Sequence, residues 1–156
     1  MAASREILVE GTNDAYFIQT FLSEHYGIKN IVIKKQRAES NDIYANDCDG
    51  ISKLLPEIKL KLKDPNIKRL AIIVDADTDA KSRYQSLRHL LIDIGIDPSY
   101  ISSDHMPQTG LYATIDMPDR DVAIGIWIMP NNKIPGNTED FFELLVSEDD
   151  FLFSHA

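Results

Sequence analysis

Lys68-Arg69-Leu70-Ala71-Ile72-Ile73-Val74-Asp75 runs on without a break into Ala76-Asp77-Thr78-Asp79. The first eight residues read as a strand. Their uninterrupted apolar run is that of a parallel strand covered on both faces, because a half-solvated strand would alternate apolar and polar residues. Alternate strand residues share a side, so Asp75 and Asp77 can aim together where the strand leaves the sheet. Carboxylates this close repel one another unless protons or a cation relieve them. Oxygen-only donors favour magnesium, manganese or calcium over zinc. The plainer reading of this turn taken alone is an acidic loop that caps the next helix.

Working outward, Leu87, Leu90, Leu91 and Ile94 mark an amphipathic helix after the acidic turn, stopped by Gly95. Before the central strand, Ile51, Leu54, Leu55, Ile58 and Leu62 predict a helix to about Lys63, capped by Asp49 and kinked or split by Pro56. Asn30–Lys34 reads as a strand, while the polar segment Gln36–Asp47 has no predicted structure. At the start, Arg5–Glu10 is a buried strand that ends on a carboxylate and Gly11. A helix over Thr12–Tyr26 follows, with Ala15, Ile18, Phe21 and Leu22 on one face and Gly27 as its stop.

Strand and helix alternate three times, which argues for a βαβ-built parallel sheet with helices on both faces. Past Pro98 the pattern changes. Gly110–Ile115 and Asp121–Met129 read as a hairpin joined by Asp116-Met117-Pro118-Asp119. A last helix starts at Asn137 or Thr138 and carries Phe141, Phe142, Leu144 and Leu145. The expectation is one α/β domain over residues 1–156 with three layers: a mainly parallel sheet, helices on both faces, and a C-terminal hairpin.

Glu10 and Asp75 both fall at the carboxyl ends of strands, where open α/β sheets place their ligands. Asp14 follows in the first turn of its helix, where a carboxylate also suits the helix dipole. With Asp77, Asp79, Glu139 and Asp140, these residues account for seven of the nine excess negative charges of the chain. A net charge of −9 argues against a broad basic surface for nucleic acid. A metal held by the acidic cluster removes that objection, because the metal becomes the positive charge that meets a phosphate. The single cysteine, Cys48, can form no internal disulfide and no thiolate metal site alone. No run of about eighteen apolar residues and no basic-then-apolar leader is present, so membrane and secretion are not expected, and the cytoplasm is.

Ile7-Leu8-Val9-Glu10-Gly11-Thr12-Asn13-Asp14, with Ala71–Asp79 ending in Asp-x-Asp, resembles the Toprim signature. Toprim domains occur in topoisomerases, primases, small ribonucleases and the overcoming-lysogenization-defect nucleases. Val122–Asn132, containing Gly125-Ile126-Trp127-Ile128-Met129-Pro130-Asn131-Asn132, and then Gly136-Asn137-Thr138-Glu139-Asp140-Phe141-Phe142 are similar to a prokaryotic Toprim-related family of unknown function. Asn131 stands where that pattern has Asp, and Thr138 where it has Leu. The family usually continues past the position of Ala156 into a segment bearing a Lys or His, so residues that complete the site are expected beyond Ala156 or are missing.

The resemblance implies a Toprim-like fold and Mg²⁺ or Mn²⁺ on Asp75, Asp77 and Glu139, with Asp140 as a further ligand. It also implies Glu10 as base or ligand, and a phosphodiester hydrolase or nuclease acting on DNA or RNA. Asp14 and Asp79 are candidate ligands whose plainer role is helix capping. The competing expectation is a catalytically inactive module that binds metal, nucleotide or a protein partner. A receiver-like phosphoacceptor domain fits the Asp-x-Asp pair and the first-strand Glu poorly. Lys81, Arg83 and Lys133 flank the acidic segments and can meet phosphates, although solvated side chains are the simpler reading. Lys59, Lys61 and Lys63 read as a solvated charge run, and Trp127 as a core residue more than a base-stacking one. The four histidines show no ligand spacing.

Overall fold

The computed structural model describes residues 4–33, 42–101 and 106–145. Lys34, the part of the polar segment before Asp42, His105 and His155 lie outside the described residues. The elements are β1 (Ser4–Val9), α1 (Thr12–Tyr26), β2 (Ile31–Ile33), β3 (Ile43–Asp47), α2 (Ile51–Lys63) and β4 (Ile67–Asp75). There follow α3 (Ala80–Ile94), a short 3₁₀ turn (Pro98–Ile101), β5 (Leu111–Asp116), β6 (Asp121–Met129) and α4 (Thr138–Leu145). The strands form one six-stranded sheet in the order β2-β3-β1-β4-β6-β5. All pairings are parallel except the β5–β6 hairpin, which gives the sheet an antiparallel edge.

Two cores follow from strand alternation. Leu8 of β1, Leu70, Ile72 and Val74 of β4, and Ile124, Ile126 and Ile128 of β6 point to one side. There they pack with Leu54, Ile58 and Leu62 of α2 and with Tyr84, Leu87 and Leu91 of α3. Ile7 and Val9, Ala71 and Ile73, and Trp127 and Met129 point to the other side, against Ala15, Phe17 and Ile18 of α1 and Phe141 of α4. The arrangement is the expected three-layer α/β fold. Trp127 packs, partly buried, against this second core, as Phe17 and Phe141 also do. Among the described residues no helix is long and apolar enough to cross a membrane.

Three expectations are corrected. Ile43–Asp47, within the segment left without structure, is the strand β3, pairing parallel with both β1 and β2. Asp49 does not cap α2. The N-cap is Gly50, with no side-chain bond, while Asp49 takes a left-handed φ of 58° and pairs with Lys53 at 2.6 Å. Pro56 does not split α2, which runs continuously from Ile51 to Lys63.

Lys61 is a fourth correction. Its side chain is 9% exposed and meets Glu6 Oε2, itself buried in β1, at 2.8 Å. Asn46 Nδ2 donates to the same Oε2 at 2.6 Å, and Glu57 lies 3.6 Å from the ammonium. Burial by itself works against the Lys61 charge, but the hydrogen bond and charge of Glu6, helped by Glu57, raise its pKa above the ordinary value.

Candidate functional site

From β1 the chain passes to β2 and β3 on one side, and from β4 to β6 on the other, so the strand order reverses between β1 and β4. A crevice at the carboxyl ends of two such strands is where α/β sheets bind ligands. Glu10 lies just beyond β1, and Asp75 is the last residue of β4. The Asp75 amide donates to Glu10 Oε1 at 3.0 Å, joining the two strand ends through a carboxylate.

Asp75 occupies the same strand face as Ala71 and Ile73, the face that α1 and α4 cover, and those helices bring two more residues. Asp14, in the first turn of α1, accepts the Gly11 amide on Oδ2 at 3.0 Å. The buried Thr138 hydroxyl, at the start of α4, donates to Asp14 Oδ1 at 2.7 Å and lies 3.3 Å from Asp75 Oδ1. A hydroxyl has one proton, so the shorter contact holds most of it. Burial, then the neighbouring charges of Asp14, Glu10 and Asp77, push the Asp75 carboxyl up to about 7. Burial also raises Glu10, against the opposing pull of the Asp75 amide and Arg83.

Asp77 is exposed and turned differently. Its φ of 53° is left-handed, and its backbone forms a bridge to Gly136, each amide donating to the other's carbonyl at 2.8 Å. Its carboxylate meets Arg83 Nη2 at 2.6 Å, and Arg83 Nε donates to the Asp75 carbonyl at 2.9 Å. Arg83 is only 16% exposed, so the expectation of a solvated side chain is corrected: it braces the acidic turn. Thr12 Oγ1 donates to Asp47 at the end of β3, adding a third strand end to this rim.

The remaining candidates sit as helix caps or apart. Asp79 N-caps α3, accepting from the Lys81 amide at 2.9 Å and the Ser82 hydroxyl at 2.6 Å. Asp140 accepts the Asn137 amide at 2.9 Å, and Asn137 Oδ1 accepts the Asp140 amide at 3.1 Å, closing the start of α4. Glu139 is exposed, with no hydrogen bond to the other carboxylates among the described residues. Among the described residues no three Asp, Glu, His or Cys side chains stand ready to hold a metal ion together. The donor chemistry still suits Mg²⁺ or Mn²⁺, being carboxylate and hydroxyl oxygen only. Cys48 is a passive thiol, pushed up to about 11 by burial and by Glu57 and Asp47.

Gly136 fixes the loop that docks on Asp77. Its φ is 139°, and an added Cβ would run into the Asp140 carboxylate. Gly136→Ala is therefore expected to cost about 1–3 kcal/mol of stability, read by urea unfolding. An unchanged midpoint would show that the loop adapts.

Sequence reasoning passed over Thr138 and undervalued Arg83. The only signal for Thr138 was a polar residue at a position where the resembled pattern has Leu. Arg83 carried no signal beyond its closeness in sequence to Asp79.

A family model described as "Protein of unknown function (DUF3226)" matches residues 4–156. No curated protein and no solved structure matches the chain.

Proposed function

We propose that this chain, which belongs to the DUF3226 family of proteins of unknown function, is a divalent-metal-dependent phosphodiester hydrolase of Toprim type that acts on DNA or RNA. One observation carries the reading. Glu10 and Asp75 are joined at the reversal point of a parallel sheet, and Thr138 draws Asp14 to the same place. A structural cap has no need for three mutually repelling carboxylates in one half-buried crevice, whereas a cation site does.

Asp75 and Asp77 are the residues that would hold Mg²⁺ or Mn²⁺, with Glu10 as a further ligand or as the base, while Glu139 enters only through the resemblance. When bound, such an ion neutralises a phosphate oxygen and acidifies an attacking water. Glu10, whose pKa burial raises above the ordinary carboxylate value, suits the role of general base where it is not a ligand. Thr138 positions Asp14 by donating to it and sets its hydroxyl oxygen against Asp75. Arg83 holds Asp77 and so sets how far that carboxylate reaches into the crevice. A cytoplasmic setting suits the lone unpaired thiol.

The Asp77–Arg83 pairing favours one second reading, a module that binds metal or nucleotide without hydrolysing anything. Both readings are tested by incubating labelled DNA and RNA oligonucleotides with Mn²⁺ and the protein, beside Asp75→Ala and a chelator control. Cleavage by the parent alone supports the hydrolase. Equal cleavage by parent and variant removes it, and metal binding without cleavage leaves the second reading.

A further inference from the structure

Beside the acidic crevice lies a cavity of about 410 Å³, lined among the described residues by Ala80, Lys81, Met106, Pro107, Gln108, Asn132 and Lys133. Its walls continue the two segments that build the crevice. Ala80 and Lys81 follow directly on the Asp75–Asp79 turn, and Asn132 and Lys133 belong to the loop that returns to Asp77 through Gly136. Asn132 makes that loop rigid. It is 4% exposed, its Oδ1 accepts the Ile128 amide at 2.7 Å, its own amide donates to the Ile128 carbonyl at 2.7 Å, and its Nδ2 donates to the Gln108 carbonyl at 3.2 Å.

Lys81 and Lys133 are exposed, and neither ammonium forms an ion pair among the described residues. On a chain of net charge −9, two lysines without an ion pair among the described residues line one cavity, Lys81 also feeling the charge of Asp79 from the acidic turn. A ligand that spans both regions needs one anionic group to meet the lysines and another to approach the crevice. A compound with phosphates in series has that pattern.

We propose that the cavity between Lys81 and Lys133 binds a second phosphate of the substrate, adjoining the phosphate that enters the acidic crevice. This rests on the phosphodiesterase reading and narrows it to substrates with at least two phosphates in series. A nucleic-acid strand and a free nucleoside polyphosphate share that chemistry.

The test measures binding of a fluorescein-labelled oligothymidylate and, separately, of ATP, with Ca²⁺ replacing Mn²⁺. The proteins are the parent, Lys81→Ala/Lys133→Ala, and the charge-matched Lys59→Ala/Lys63→Ala, whose lysines are exposed on α2 and do not line the cavity. For a strand, the first double variant binds the oligonucleotide about tenfold more weakly, and its log–log salt slope falls by about 0.7, the value for one lost single-strand phosphate contact. A comparable loss confined to ATP keeps the subsite and assigns it to free polyphosphates. Unchanged binding of both probes, or an equal loss in the α2 control, overturns the proposal. Whether the parent cleaves anything in Mn²⁺ is read separately, so failure of the hydrolase reading stays distinct from failure of the lysine subsite.

Discussion

Asp75→Asn is expected to lower metal-dependent phosphodiester cleavage by at least about 100-fold, and at the same time to make the metal-free protein more stable at pH 8. The first number is a floor. Loss of a residue that merely orients a metal ligand costs 10–100-fold, and a ligand should cost more. The stability gain follows from the sign of the Asp75 shift. Its carboxyl titrates near 7 in the folded chain against an ordinary 3.8, so between those values the folded state holds a proton that the unfolded state has lost. Stability then falls as pH rises through that window, and the full penalty is present above about pH 7.

The groups facing Asp75 are Glu10, Asp14 and Asp77, all acidic, the Thr138 hydroxyl, and Arg83, which is bonded to its carbonyl. Asparagine keeps the shape and removes the charge. Allowing for solvent screening of a half-buried site, the gain at pH 8 is on the order of 1–2 kcal/mol, and it vanishes near pH 4. Thermal melts of parent and variant across that range check it. Parallel curves would mean that Asp75 is not held protonated by its neighbours.

The second large effect lies away from the crevice. Lys61→Met should destabilise the protein by about 3–5 kcal/mol, because it takes away the ammonium that meets the buried Glu6 carboxylate at 2.8 Å. For a chain of this size that lowers Tm by on the order of 10 °C. Adding Glu6→Leu should recover most of the loss, since an apolar pair of similar volume often replaces a buried ion pair without cost. If the single variant melts with the parent, the pair is not as dry as its 9% and 6% exposures imply.

The layers and most element ends were legible because their signals are local. The apolar run into Asp75 is typical of a strand covered on both faces, and Gly27 and Gly95 end their helices in left-handed caps at φ 66° and 107°. The strand β3 was hidden by its own chemistry. Only Ile43 and Ala45 face the α1 core, while Asn46 turns to Glu6 and Asp47 meets Thr12. Lys61 did carry a readable sign, standing three residues after Ile58 on the buried face of α2, but a single charge on an apolar stripe cannot name a partner 55 residues earlier in sequence.

At the site, strand-end position was enough to single out Glu10 and Asp75. The pairing of Asp77 with Arg83, and the Thr138 hydroxyl between Asp14 and Asp75, are long-range contacts across separate elements. Spacing along the chain does not encode them.

The most direct test of the account is a calorimetric titration of Mn²⁺ into the parent and Asp75→Asn at pH 8. The account predicts saturable binding by the parent and its loss in the variant, even though the variant is the more stable protein without metal. The same isotherm from both proteins, or no heat of binding from the parent, would contradict the claim that this carboxylate crevice is a metal site.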